Sequence, residues 1–349
     1  SATASSGLAV DFANLTPALA TLVGTDITFI KPGLARVEAS QAGAANWNPA
    51  TLVHGWRVMN SQNALCDFDG DGKADLAVYH AAAGNWYIEE SATGNRRVVQ
   101  WGWPGGLPVP GDYDGDGRTD VAVYHPSSGN WFMACSTAGA RYVQWGWPAA
   151  VPVPGDYDGD GATDVAVYDP ILLNWHLRMS AAGDHTLQWG LSNSVPVPAD
   201  YNGDGTTDLA VYQPATGIWS IRYRLVAKSR PSDRTVQWGW SEAVPVPGDY
   251  DGDGAADLAV YHRAAGNWYL LCSTDGIRIE SWGWAGTAPV AADYDGDGAA
   301  DVSVYHQPAG NWYELESGSG LSSGAIPFGW SAARPVLLQP LIHSWFGLP

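Results

Sequence analysis

Basic residues are scarce: 17 of the 349 residues are Lys or Arg, against 36 Asp and Glu, for a formal net charge of -19. Without a basic stripe to neutralise phosphates, nucleic acid is disfavoured as a partner. No apolar run approaches the ~20 residues that a membrane-spanning helix needs. The familiar catalytic signatures are missing too. There is no H-E-x-x-H, no C-x-x-C-H and no phosphate loop. Helical periodicity is absent, which leaves strands as the structural material. The chain starts "SATASSG" without a charged-then-apolar leader, the start expected of a secreted or cell-surface protein after cleavage.

What is abundant is aspartate, and it is ordered. The pattern D-x-D/N-G-D-G-x-x-D begins at Asp67, Asp112, Asp156, Asp200, Asp249 and Asp293. A fainter copy, "DITFIKP" from Asp26, aligns with "DVAVYHP" from Asp120 but lacks the aspartate-rich prefix. Counted from the aspartate that opens each apolar run, at positions 26, 75, 120, 164, 208, 257 and 301, the steps are 49, 45, 44, 44, 49 and 44 residues. That spacing is one propeller blade per repeat. The motifs hold 23 of the 36 acids, leaving 13 against 17 Lys and Arg. The acidity is therefore local, which argues for cation binding.

Each period contains four short strand patterns, such as "VPVPGDY", "DVAVYHP", "NWFMAC" and "YVQWGW", separated by turn residues. The expected fold is all-β: a seven-bladed propeller of four-stranded antiparallel blades spanning 17–340, with an extension over 1–16 and a tail over 341–349. "ARPVLLQP" at 333–340 resembles a first strand without its loop, while "ITFIKP", "ANWNP" and "TLVHGW" match strands two to four. These pieces predict one blade shared by both termini, about 17–60 with 333–340, which would remove two open sheet edges. Cys135 and Cys272 share one repeat position in blades expected to be apart. All three cysteines, Cys66 included, are expected to be buried free thiols.

Hard cations such as calcium take six to eight oxygen ligands, and carboxylates at alternate positions of a tight loop can converge on one. In the second loop the candidates are Asp112, Asp114, Asp116 and Asp120, with the backbone carbonyl of Arg118 between them. Gly115 and Gly117 allow the turns. An EF-hand is excluded, because position 12 is Val123, inside a strand. The motif, followed by "AVY" and spaced at one blade, resembles the FG-GAP/VCBS repeat over roughly residues 20–340. That family includes integrin alpha heads and fungal lectins, and its loops bind calcium. The resemblance implies about six Ca²⁺ and carries the ligand set to every loop. The set is Asp67, Asp69, Asp71, Lys73 (carbonyl) and Asp75; Asp156, Asp158, Asp160, Ala162 (carbonyl) and Asp164; and Asp200, Asn202, Asp204, Thr206 (carbonyl) and Asp208. The last two loops add Asp249, Asp251, Asp253, Ala255 (carbonyl) and Asp257, and Asp293, Asp295, Asp297, Ala299 (carbonyl) and Asp301. Asn202 keeps an oxygen where the other loops have a carboxylate.

Eighteen of the 19 tryptophans fall at repeat positions, which reads as packing between adjacent sheets. Departures from the repeat are better places to look for function. "DPILLN" at 169–174 puts Ile171, Leu172 and Leu173 where sibling turns are polar, a candidate partner surface. The segment at 222–234 is longer than its siblings and basic. His80, His125, His262 and His306 share one position, read as strand-end caps. Together these features predict a secreted, non-catalytic module for recognition, adhesion or matrix formation. Its partner would be an extracellular protein, a glycan or a second copy of itself. A glycan-binding lectin and a polysaccharide-degrading, lyase-like enzyme are the alternatives.

Overall fold

The computed structural model describes residues 9–15, 20–23, 26–29, 33–43, 48–58, 66–223 and 233–336. No helix occurs among them. Six four-stranded antiparallel sheets account for the repeats. In the second, the order is Leu107–Pro108, Val121–His125, Asn130–Cys135 and Gly139–Gln144. Its second strand, "VAVYH", is buried on both faces up to His125. Its third alternates, with Trp131, Met133 and Cys135 buried. Its fourth is largely exposed and forms the outer edge.

Adjacent sheets pack face to face through these strands. Val109, Tyr124, Trp131 and Met133 form one cluster with Val165 and Val167 of the next sheet. The third-strand tryptophans Trp86, Trp131, Trp175, Trp219, Trp268 and Trp312, preceded by Asn except at Ile218, are all fully buried. Each aromatic of this kind removes ~150–250 Å² from water, so the tryptophans serve the core, as their periodicity predicts. Their indole N–H groups are satisfied within the blade, as in Trp131 Nε1 donating to Trp145 O at 2.8 Å. The first tryptophan of "WGW" reaches across instead: Trp145 Nε1 donates to His176 O in the next blade at 2.9 Å.

The number of blades differs from the expectation. Six blades close on themselves, so the seven-bladed reading is corrected to six. Arg334–Pro335 pairs with Leu76–His80, completing the blade that carries the Asp67 loop. It does not pair with the N-terminal strands, so the blade shared between 17–60 and 333–340 is corrected as well. Those strands lie in separate sheets: Asp11–Asn14, Gly33–Gln41 and Ala50–Val58 in one, Ala20–Val23 and Asp26–Phe29 in another. The physical reason is visible in the sequence. Every other loop follows its own first strand, "VPVPGDY" or a close variant, whereas "SQNALC" precedes Asp67 and "ARPV" supplies the missing strand. Cys66 takes the place of Gly111, its carbonyl accepting from Asp75 N at 2.8 Å, and its thiol faces Val336 O at 3.8 Å.

Closure is recorded in one cycle of backbone hydrogen bonds. Thr119 N donates to Asp67 O, Thr163 N to Asp112 O, Thr207 N to Asp156 O, Ala256 N to Asp200 O, Ala300 N to Asp249 O and Ala74 N to Asp293 O. All six span 2.5–2.7 Å. Each loop is thereby tied to its two neighbours, and the last is tied to the first.

Candidate metal centres

The six loops connect first to second strands and share one face with the turns between third and fourth strands. The turns between second and third strands lie on the opposite face. There the glycine that ends five of the six turns, such as Gly129 with φ 69°, sits against the backbone of the glycine in the following "WGW" segment, Gly146 in this case, where a Cβ would collide.

Within a loop, the hydrogen bonds assign each aspartate a task. In the second, Asp112 at position 1 accepts from Gly115 N (2.7 Å), Asp116 N (3.1 Å) and Gly117 N (2.8 Å), which folds the chain around it. Asp120 at position 9 bridges Tyr113 N (2.9 Å) and Ser136 N (2.7 Å), tying the loop to the 3-4 turn. Asp116 at position 5 accepts from Arg118 N (3.0 Å) and from the hydroxyls of Ser136 and Thr137. Asp114 at position 3 accepts from Thr137 N (3.0 Å) and Ala138 N (2.6 Å) through one oxygen. Its other oxygen, Oδ1, is buried and meets no donor; the same holds for Asp158 and Asp251.

An unpaired buried acceptor costs ~1–3 kcal/mol, more when charged. A divalent cation is the species that would satisfy these oxygens, and the donor sets fit one. Carboxylate oxygens of Asp67, Asp69 and Asp71, of Asp112, Asp114 and Asp116, and of Asp156, Asp158 and Asp164 lie within 4.8 Å of one another. All are hard oxygen donors of the kind calcium takes.

The electrostatics of the bare loops point the same way. Burial pushes the position-9 carboxyls up, to about 6 in Asp75 and Asp120 and about 7 in Asp164 and Asp257, against the opposing pull of backbone donors. Burial does the same at position 1, to about 6 in Asp200 and about 7 in Asp293. At position 7 the amides of Lys73, Arg118, Ala162, Thr206, Ala255 and Ala299 each donate to the position-5 carboxylate at 2.8–3.0 Å.

Two features escaped the sequence reading. A serine stands 16 residues beyond the position-9 aspartate in five loops: Ser91, Ser136, Ser180, Ser273 and Ser317 all donate an amide to it. That fixed interval was the available signal. In the fourth loop the same interval falls on Arg224, which lies outside the described residues, as do residues 224–232 of the basic segment at 222–234. Cys135 and Cys272 also bring sulfur within 4.8 Å of the position-3 and position-9 carboxylates of their loops. All three cysteines are free and buried, and burial pushes each thiol up to about 12. The amide nitrogen of Asn202 donates to the Asp208 carboxylate at 3.4 Å.

The apolar trio divides. Ile171 and Leu172 are exposed at the turn on the metal-free face, their amides accepted by Asp169 Oδ1 at 2.8 and 2.9 Å. Leu173 instead packs against the core cluster of Trp175 and Val153, at φ 58° where most siblings have glycine. The histidines also do more than cap. His125 meets Ser128 Oγ at 2.8 Å and packs edge-on against Trp103 of the preceding blade.

Residues 67–123 match the model of the FG-GAP-like repeat, and the same pattern recurs through the remaining loops. No curated protein matches the chain. Among 73 matching chains of solved structures, a streptogramin B lyase superposes with a TM-score of 0.50 at 8% identity, covering 76% of this chain and 83% of its own. An Agrocybe aegerita lectin described as recognising non-reducing terminal N-acetylglucosamine gives 0.48 at 16% identity, covering 74% and 77%. A Bacteroides fragilis putative 6-phosphogluconolactonase gives 0.48 at 12%, covering 91% and 99%. At such identities the likeness is one of fold, the propeller.

Proposed function

We propose that this chain of FG-GAP-like repeats is a calcium-stabilised propeller that serves, outside the cell, as a non-catalytic recognition or adhesion module. The observation that carries the reading is the belt of six aspartate loops linked by the closed cycle of backbone hydrogen bonds, with a position-3 carboxylate oxygen buried and unpaired in three of them, at Asp114, Asp158 and Asp251. Positions 1, 3, 5 and 9 with the carbonyl of position 7 would hold Ca²⁺, which would supply charge neutralisation where four carboxylates converge. The non-catalytic part draws on the buried tyrosines of the second strands. Tyr124 and Tyr305 donate to backbone carbonyls at 3.3 Å, and burial pushes their phenols up to about 12, which makes them poor bases.

Elemental analysis after millimolar calcium exposure and removal of free ion tests the cation. About six calcium ions per chain are expected, at the ~10⁻⁴–10⁻³ M affinities of extracellular modules. Fewer than about three would contradict the proposal.

A further inference from the structure

Each loop of the belt is touched by the loop that follows it, and in two places the touching side chain is a cation. The residue at position 7 of one loop lies against the position-4 glycine of the loop before it. Ala162 Cβ stands 3.6 Å from the point where a Cβ on Gly115 would lie, Thr206 Cγ2 2.8 Å from that on Gly159, and Ala255 Cβ 3.6 Å from that on Gly203. At the first loop the neighbour is Arg118, whose Nε and Cγ come within 3.0 and 3.1 Å of the same point on Gly70. At the sixth it is Lys73, whose Cε and Cγ both come within 3.0 Å of that point on Gly296. Lys73 thereby crosses the junction where the sixth blade meets the first.

Gly70 stands between Asp69 and Asp71, and Gly296 between Asp295 and Asp297, the carboxylates of positions 3 and 5. The ammonium is one bond beyond Lys73 Cε, and Arg118 Nε is itself part of the guanidinium. A fixed positive charge therefore lies across each of these two loops, whereas position 7 elsewhere is Ala162, Thr206, Ala255 or Ala299. The outer-strand arginines near the loops are held differently: Arg141 and Arg278 donate to the carbonyls of Tyr113 and Tyr250, and Arg97 pairs with Glu90 at 3.1 Å. A resident cation repels an incoming one, and a divalent ion feels twice the repulsion of a monovalent one. The same charge offsets part of the carboxylate repulsion while the metal is away. Both effects reduce what the loop gains by binding.

We propose that the residue at position 7 sets the calcium affinity of the preceding loop, and that Lys73 and Arg118 weaken binding in the sixth and first loops. The inference rests on the calcium reading above and concerns the regulation of those same sites. It gives the two loops at the ring's junction a charge balance that depends less on calcium.

The test follows the belt amides of the full chain by NMR-detected hydrogen exchange across a calcium titration in low salt. Ala74 N reports the sixth loop through Asp293 O, Thr119 N the first through Asp67 O, and Thr163 N the second through Asp112 O. Lys73→Met should lower the calcium concentration of half-protection at Ala74 at least about threefold, and Arg118→Met should do the same at Thr119. Changes at Thr207 and Ala256, which report loops two or more places away, should be smaller. Ala162→Lys, the converse change, should raise the midpoint at Thr163 by a similar factor. All three shifts should shrink in ~1 M salt, where the screening length falls to ~3 Å. Midpoints that ignore the substitutions, move the opposite way or shift equally in ~1 M salt would overturn the proposal. Protection without any calcium dependence would defeat the metal reading and this inference with it; a normal calcium response with unmoved midpoints defeats the inference alone.

Discussion

The two faces of the ring are built from the ends of the same strands, yet they have diverged differently. On the loop face, five of six loops keep four aspartates at the same positions, and the sixth changes one to Asn202. On the opposite face the turns read Ala-Ala-Ala, Pro-Ser-Ser, Pro-Ile-Leu, Pro-Ala-Thr, Arg-Ala-Ala and Gln-Pro-Ala before the closing Gly or Leu173. The hydrogen bonds explain the difference. Each loop backbone is tied to the next loop, so a change in one disturbs two neighbours; each turn needs only its last residue against a glycine of the "WGW" segment. Constraint sits on one face and freedom on the other.

Opening the ring should break this contrast most severely. Removing residues 333–349 takes away the strand that completes the first blade and exposes Leu76–His80 as an edge. Aggregation, or a melting temperature lowered by well over ten degrees, is the expected result. A monomeric truncate melting like the full chain would show that closure does not depend on Arg334–Pro335.

A smaller effect is expected from pH in chelator. The position-9 and position-1 carboxyls with folded values near 6–7 start from an unfolded value of 3.8. A carboxyl raised in the folded state binds its proton there more tightly than in the unfolded chain. Its stabilising contribution is full below about 4 and is lost as pH rises through about 7. Metal-free protein should therefore melt higher at pH 5 than at pH 8, and added calcium should reverse the order. A metal-free melting temperature that rises with pH over this window would contradict the assignment of these carboxyls to bare, buried positions.

The smallest effect belongs to the free face. Replacing Ile171 and Leu172 with Ser, the residues of the second blade's turn, should change stability by no more than ~0.5 kcal/mol, as for surface substitutions. The same change should weaken any self-association or partner capture that uses this turn. Thermal melts and sedimentation of the double variant check both. A large loss of stability would place these side chains in packing that their exposure does not indicate.

How legible this was in the sequence follows the same division. Period-2 alternation in "NWFMAC" and the run "VAVYH" gave the strands directly, because burial on one or both faces writes itself into residue type. The aspartate positions were legible because the motif repeats. The blade count was not: "DITFIKP" aligns with "DVAVYHP", but strand identity is decided by pairing partners, and Asp26–Phe29 pairs with Ala20–Val23. The role of the serines was hidden for a different reason. They lie in another turn, 16 residues away, and meet the aspartates only when the blade folds.

The central claim is that the six loops form one metal-clamped belt, and amide hydrogen exchange at the belt's own donors measures it most directly. The amides of Ala74, Thr119, Thr163, Thr207, Ala256 and Ala300 should all be strongly protected with calcium. On chelation they should lose protection together, while amides of the free-face turns, such as Ser128 and Ala265, change little. Protection that is unaffected by chelation, or that is lost equally on both faces, would contradict the account.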